Sequence, residues 1–377
     1  MLKRASLDEL PADLRERLDR RGFDPDQLVR WSTRVGQGDE QNRLTGEVSR
    51  VDDAEVKRVP DDPAEAERLR ERGAQALAAG ELAICVLAGG MATRMGGVVK
   101  SLLPVVGEHT FLDYRLAERA QLGERHGKAP PFWLMTSEST DAPIAAAVAA
   151  RADADGIATF EQLVSLRLDE AGALFRDDEG EPSVYATGHG DLPDALRRAG
   201  LLQAFVAAGG RHVWISNVDN LGASVDLAIL GQHIEEGRSL TVELVDKVAG
   251  DKGGGPVRHQ GQPIIAEHFR LPRDFDADAI PIFNTNTFLV DARALLELTL
   301  EWTYVEVVKQ VGERRAVQFE RLLGEITIAI RPTFNWVPRD GEGSRFLPVK
   351  SYEDLEHHRP ALERIGRRLG LLRPSSG

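Results

Sequence analysis

Cysteine is all but missing from this chain: Cys85 is the only one in 377 residues. One thiol cannot build an intramolecular disulfide framework or a cysteine-based metal site. Cys85 lies in an apolar run, where packing is its natural role. Long hydrophobic stretches are missing too. No run reaches membrane-spanning length, and the polar N-terminus lacks the apolar core of a signal peptide, so a cytoplasmic protein without membrane contact is expected. Positive charge is in deficit, with 60 acidic residues against 47 basic ones and a net charge of -13. That balance argues against nonspecific binding of nucleic acid or an anionic membrane. Two familiar phosphate-binding signatures are absent: neither G-x-G-x-x-G nor G-x-x-x-x-G-K-[ST] occurs. No internal repeat is visible, and the end of the chain shows no hexapeptide pattern of a β-helix.

What is present is ample apolar content, 42% of the residues, enough for one large or two modest domains. Residues 1–80 read as a polar, mostly helical N-terminal extension. Ser6 caps a first helical stretch, and 61–79 is a charged, Ala-rich helix after Pro60. Trp31 reads as helix packing. From residue 81 strands and helices alternate. The strands are 82–88, 131–137, 211–220 and 240–245; the helices begin near Thr110 and cover 142–152, 191–208 and 224–236. Such βα repetition predicts an α/β fold with a mostly parallel sheet covered by helices on both faces. Beyond 245 the pattern changes. Lys252-Gly253-Gly254-Gly255-Pro256 and Gln260-Gly261-Gln262 read as hairpin turns, 282–290 as a strand and 316–330 as an amphipathic helix. A short C-terminal segment, 336–377, ends in a polar helix from Tyr352 and a Ser-Ser-Gly tail.

Four constellations carry chemistry. The first is Leu87-Ala88-Gly89-Gly90, then Arg94, Gly96, Gly97 and Lys100. Glycines after a buried strand let backbone N–H groups approach phosphate oxygens, and Arg94 and Lys100 would neutralise the charge. A merely tight turn is the competing reading. The second is Gly188-His189-Gly190-Asp191 ahead of a helix, where an imidazole and free N–H groups would meet an anion; Asp191 could be a simple N-cap. The third is Asn217-Val218-Asp219 at the end of a buried strand, where a carboxylate suits Mg²⁺. A turn aspartate is the alternative. The fourth is Arg345-Phe346-Leu347-Pro348-Val349-Lys350, whose lysine is either a solvated charge or a mobile cation for developing phosphate charge. Lys247, Asn284 and Asn286 add polar groups at strand ends that suit sugar or phosphate contacts.

Taken in order over residues 84–357, these motifs resemble a known family, the UTP–glucose-1-phosphate uridylyltransferases (UDP-glucose pyrophosphorylases). The resemblance rests on Leu-Ala-Gly-Gly…Lys-Ser, Thr-Phe-Leu-Asp, Leu-Met-Thr-Ser, Phe-Glu-Gln, Gly-His-Gly-Asp, Ser-Asn-Val-Asp-Asn-Leu-Gly-Ala-Ser-Val-Asp, Phe-Asn-Thr-Asn and Arg-Phe-Leu-Pro-Val-Lys. It implies a Rossmann-like (GT-A-like) nucleotidyltransferase core over 81–335 and Mg²⁺-dependent attack of a sugar 1-phosphate on the α-phosphorus of UTP. By resemblance, Leu87, Ala88, Gly89 and Gly90 would hold the nucleotide, and Lys100 the triphosphate. Gln162 and Gly188 would contact uracil or ribose. His189 would touch the sugar phosphate. Asn217 and Asp219 would face the substrate, with Asp219 on Mg²⁺. Lys350 would reach the phosphates. From the residues themselves, and not from the resemblance, Arg94 is expected to join the two lysines, and Lys247, Asn284 and Asn286 to line the sugar side.

The chemistry fits those residue types. A sugar phosphate is already an adequate nucleophile, so positioning and cations suffice without a catalytic base. Three departures stand out. Eukaryotic members have Asn where Ala88 stands, their loop lacks Arg94, and they carry a C-terminal β-helix used in assembly, which is not expected here. Twenty-seven residues follow Lys350. A monomer or small homo-oligomer acting on UTP and a sugar 1-phosphate is expected. The strand Asn284-Thr285-Asn286-Thr287 leans toward glucose. The competing readings are a UDP-sugar or UDP-N-acetylhexosamine pyrophosphorylase, a non-catalytic nucleotide-sugar sensor, and a Rossmann dehydrogenase that the missing fingerprint disfavours.

Overall fold

A computed structural model describes residues 2–251 and 253–373; Lys252, in one of the expected turns, and 374–377, at the expected tail, lie outside the described residues. An eight-stranded mixed sheet runs through the centre. From one edge its strands are Val56–Lys57, Thr333–Trp336, Leu240–Asp246, Ile282–Asp291, His212–Asn217, Leu82–Leu87, Phe132–Thr136 and Ile157–Glu161. All neighbours are parallel except Ile282–Asp291, which is antiparallel to both its partners. Every residue of Leu82–Leu87 and Phe132–Thr136 is buried, as expected for strands covered on both faces. Register brings Leu87 level with Asn217 on one side and Met135 on the other. Three C-terminal strand ends therefore form one row, where open α/β sheets bind ligands.

Several expected elements turn out differently. Ser6 lies inside the helix Arg4–Asp8 and does not cap it, and Gly254, Gly255 and Pro256 open the strand Gly254–His259 where a turn was expected. Residues 191–208 form two helices, Leu192–Arg198 and Leu201–Ala207, because Gly200 adopts φ 71° between them. The stretch 316–330 is no amphipathic helix. Its first part is the strand Arg314–Glu320, paired antiparallel with Val305–Val311 across a turn at Gly312, followed by a short helix Ile326–Ala329. A buried run such as Ala316-Val317-Gln318-Phe319 has no period that separates strand from helix.

The first 80 residues are tied into the rest of the molecule. Leu14, Leu18, Leu28 and Trp31 of the N-terminal helices pack against Val317 and Phe319 of that hairpin. Trp31 stacks on Phe319 at 5.1 Å between ring centroids. Val56–Lys57 supplies the edge strand of the main sheet. The helix Pro63–Ala78 crosses Leu227–Glu235 closely enough to need glycine on both: a Cβ on Gly73 would lie 2.1 Å from the Leu227 carbonyl oxygen, and one on Gly231 would lie 1.9 Å from that of Leu69.

Candidate active site

A cavity of about 560 Å³ opens over the row of strand ends, with Leu87, Met135 and Asn217 in its floor. Gly89 and Gly90 form one wall. A Cβ on Gly89 would stand 2.7 Å from Gln162 Oε1, so glycine is what lets the Gln162 amide lie against this loop. The Ser137 hydroxyl donates to the Gly89 carbonyl at 2.9 Å and fixes the loop from below. Ala88 is fully buried, and its N–H donates to the Met135 carbonyl; it lies beneath the wall and does not line it. The rest of the glycine-rich loop is a small hairpin, with Met91–Ala92 paired to Val98–Val99. Gly96 and Gly97, at φ 89° and 71°, serve its turn. Arg94 is exposed on this hairpin and does not line the cavity.

Lys100 lies just behind the hairpin. Its N–H donates to the Gly90 carbonyl, and its Nζ stands 2.5 Å from Asp219 Oδ2. Both side chains line the cavity and are largely buried, at 15% and 13% exposure. A lysine and a carboxylate so placed offer both signs of charge to a phosphate–metal complex.

On the opposite wall Gly188 adopts φ 103°, and a Cβ there would meet the Arg321 carbonyl oxygen at 2.5 Å. His189 follows. Its Nδ1 accepts the Leu323 N–H at 2.9 Å, which leaves the proton on Nε2. Burial lowers its pKa, with Glu320 pulling the other way. The ring is thus a neutral donor. Asp191 is no helix cap: its carboxylate takes the Thr187 hydroxyl and Arg321 Nε, each at 2.7 Å. Asn217 closes the floor, with its Oδ1 accepting from Asn286 Nδ2 at 3.0 Å.

The C-terminal segment is stitched to the Asp219 loop. Arg345 reaches both carboxylate oxygens of Glu243 at 3.0 and 2.6 Å. Asn220 donates to the Arg345 carbonyl and accepts the Leu347 N–H. The Val349 N–H donates to the Asp219 carbonyl at 3.3 Å. Lys350 comes next, exposed, and shares a second cavity of about 1030 Å³ with Arg94. Lys247 turns aside to the Ala277 carbonyl and Asp278, and Asn284 Oδ1 accepts the Asn286 N–H. The structure therefore gathers Leu87, Gly89, Gly90, Lys100, Gln162, Gly188, His189, Asn217 and Asp219 around one cavity. Ala88, Arg94, Lys247, Asn284, Asn286 and Lys350 stand outside its lining.

Sequence reasoning missed several residues. Lys309, Gln318 and Glu320 complete the wall from the hairpin; two valine-bearing stretches on either side of Gly312 were the available signal. Buried Arg115 donates to the carbonyls of Asn217 and Asn220 at 2.7 and 2.6 Å and so fixes the Asp219 loop. No sequence signal marks it. Among the described residues no three His, Cys, Asp or Glu side chains form a metal cage. Mg²⁺ commonly takes only one or two carboxylates and fills its sphere with water and substrate phosphates, so Asp219 alone fits an ion that arrives with a triphosphate.

The UTP–glucose-1-phosphate uridylyltransferase family model matches residues 40–362. The enzyme of that name from Solanum tuberosum is 31% identical over 79% of this chain and 63% of its own length. That of Saccharomyces cerevisiae is 32% identical over 73% and 58%. The chain spans somewhat under two thirds of these relatives. A UDP-glucose pyrophosphorylase variant from Leishmania major superposes with a TM-score of 0.70 at 24% identity, over 92% of this chain and 79% of that one. A UDP-N-acetylglucosamine pyrophosphorylase from Trypanosoma brucei gives 0.71 at 18%, over 94% and 80%. These likenesses show a shared fold.

Proposed function

The chain belongs to the UTP–glucose-1-phosphate uridylyltransferase family, and we propose that it forms UDP-glucose and pyrophosphate from UTP and glucose 1-phosphate. The observation that carries this reading is the Lys100–Asp219 pair, set at the C-terminal strand ends between the Gly89-Gly90 wall and the Gly188-His189 wall. A phosphate oxygen of the sugar phosphate attacks the α-phosphorus of UTP. The new P–O bond forms as the bond to the β-phosphate oxygen breaks, and pyrophosphate leaves with the electron pair. The obstacles are repulsion between anions and charge growing on the leaving group.

Each residue of the cavity answers part of that problem. Gly89, Gly90, Gln162 and Gly188 hold the uracil and ribose by backbone and amide. Lys100 takes the triphosphate oxygens. His189 gives its Nε2 proton as a hydrogen bond to the sugar phosphate without transferring it. Asp219 would hold Mg²⁺ beside the phosphates, and the ion would supply charge neutralisation there. Lys350 and Arg94, on the neighbouring cavity, meet the departing pyrophosphate. The single buried thiol of Cys85 suits the reducing cytoplasm where we place the enzyme.

The test is pyrophosphate release from UTP with glucose 1-phosphate, galactose 1-phosphate or N-acetylglucosamine 1-phosphate, each with and without Mg²⁺. Release is expected with glucose 1-phosphate and Mg²⁺. Preference for the N-acetylated sugar would move the chain to the hexosamine branch. No release with any sugar would leave only a nucleotide-sugar sensor, and release without metal would remove Asp219 from its role.

A further inference from the structure

We propose that Glu320 reads the ribose of UTP: its carboxylate accepts the ribose hydroxyls and so favours a ribonucleotide over a deoxy counterpart. The inference rests on the uridylyltransferase reading and deepens it by adding a side chain that sets nucleotide specificity. Glu320 ends the strand Arg314–Glu320, along which side chains alternate between two faces. Val317 and Phe319 face the N-terminal helices and pack with Leu28 and Trp31. Gln318 and Glu320 therefore turn the other way, and both line the cavity. The Trp31–Phe319 stack holds this register, because a slip of one residue would exchange the two faces.

The polar chain behind the carboxylate runs in one direction. Arg167 can only donate. Its Nε hydrogen goes to Gln318 Oε1 at 3.0 Å, and its Nη1 is seated on the Ser183 hydroxyl and the Val184 carbonyl. The Gln318 amide is thereby turned so that its Nε2 donates to Glu320 Oε1. The Lys309 ammonium stands over that same Oε1, at 3.4 Å. Both partners hold one oxygen, and Oε2 takes no hydrogen bond among the described residues. At 23% exposure the Glu320 side chain is held in place yet open to the cavity.

A free carboxylate oxygen repels phosphate and attracts a donor. The donors that the two substrates bring are the uracil N–H and the sugar hydroxyls. The Gln162 amide, against the Gly89 wall, can accept and donate at once and so suits the base. That leaves hydroxyls for Glu320. It lies against the Gly188 wall, where a Cβ on Gly188 would stand 3.4 Å from Glu320 Cβ. Gly188 belongs to the uracil and ribose side of the cavity, so the ribose hydroxyls are the ones within its reach. Dinucleotide sites on open α/β sheets use the same chemistry, an acidic side chain on a ribose hydroxyl. Hexose hydroxyls would suit the same oxygen, and the test separates the two.

The test crosses Glu320 variants with deoxy analogues of each substrate in the pyrophosphate-release assay. With UTP and glucose 1-phosphate, Glu320→Ala should lose about 10- to 100-fold in kcat/KM, the range for a hydrogen bond to a charged group. With 2′,3′-dideoxy-UTP the same substitution should cost less than about threefold, because the hydroxyls it served are already gone. With UTP and 2-deoxyglucose 1-phosphate the loss should be as large as with glucose 1-phosphate. A merely structural Glu320 would lose equally with both nucleotides, and that result would overturn the inference. A loss that persists with the dideoxynucleotide but vanishes with the deoxy sugar would move the contact to the hexose and overturn it too. Glu320→Gln keeps the size and one acceptor oxygen; it should show the same pattern with a smaller loss, and it carries the test should Glu320→Ala fail to fold. If the unmodified protein releases no pyrophosphate with any sugar phosphate, the uridylyltransferase reading falls and the inference with it; an active wild type with an unaffected Glu320→Ala sinks the inference alone.

Discussion

Lys100 and Lys350 both belong to the neighbourhood of Asp219, yet they are held in opposite ways. The Lys100 ammonium is tucked against the Asp219 carboxylate in the cavity over the strand ends. Lys350 is exposed in the next cavity. What anchors it is backbone: the Val349 N–H on the Asp219 carbonyl, and its own N–H on Asp354 Oδ2 at 2.7 Å. The same contrast runs through their surroundings. Around Lys100 stand a loop fixed by Ser137, an imidazole fixed by Leu323 and an amide hydrogen-bonded to Asn286. Around Lys350 stand Arg94 on a small exposed hairpin and the exposed start of the helix Tyr352–Arg368. One side is settled before any substrate arrives, in the way that makes electrostatic stabilisation strong. The other is an open rim, where Lys350 and Arg94 stand among carboxylates such as Asp340, Glu342 and Asp354.

The largest effect that sharpens this contrast concerns the seam between the two sides. Glu243 and Arg345 form a buried ion pair, with side chains 3% and 9% exposed. Glu243→Gln leaves buried Arg345 with only the more distant Asp226 carboxylate, 3.9 Å away, which costs up to about 3 kcal/mol. Denaturant unfolding should show that loss. The folded fraction should keep its UTP affinity while kcat falls, because only the segment carrying Lys350 is loosened. Equal losses in UTP binding would break the separation.

The smallest effect is an expected constancy. Burial lowers the His189 pKa below the ordinary histidine value in the folded protein, so the ring takes up less proton than a free imidazole as the pH falls from about 8 to 6.5. UDP-glucose affinity by calorimetry should stay flat across that window. The linked stability has the opposite dependence. The unfolded chain takes up the proton first, so stability is lost as pH falls below 6.5. Affinity that rises as pH falls toward 6.5 would mean a cationic His189, and the prebuilt neutral wall would be wrong.

The cavity at the strand ends was far more legible in the sequence than the rim. Its residues sit at the ends of short apolar strands, and each carries its signal locally: Gly89-Gly90 after Leu82–Leu87, Gly188-His189 before a helix, Asn217 and Asp219 after His212–Asn217. Register then places those ends together without further information. The rim depends on where separate chain segments meet. Nothing local in Lys350 or Arg94 says that they share a different cavity from Lys100. Asn286 reads as a sugar contact until the structure shows it turned onto Asn217. Gln318 and Glu320 were hidden because 316–330 was read as a helix, Lys309 because its strand was not singled out, and the hairpin's partner surface, the N-terminal helices around Trp31, is some 280 residues away in the chain.

Equilibrium binding of UTP with Mg²⁺, in the absence of sugar phosphate, tests the contrast most directly. Calorimetry on wild type, Lys100→Ala and Lys350→Ala would be compared with pyrophosphate release by the same three proteins. Both variants should lose on the order of 100-fold in kcat/KM. Lys100→Ala should also lose UTP affinity about tenfold or more, whereas Lys350→Ala should bind UTP as wild type does. UTP binding lost equally in both variants would contradict the division into a prebuilt wall at the strand ends and a later-acting rim.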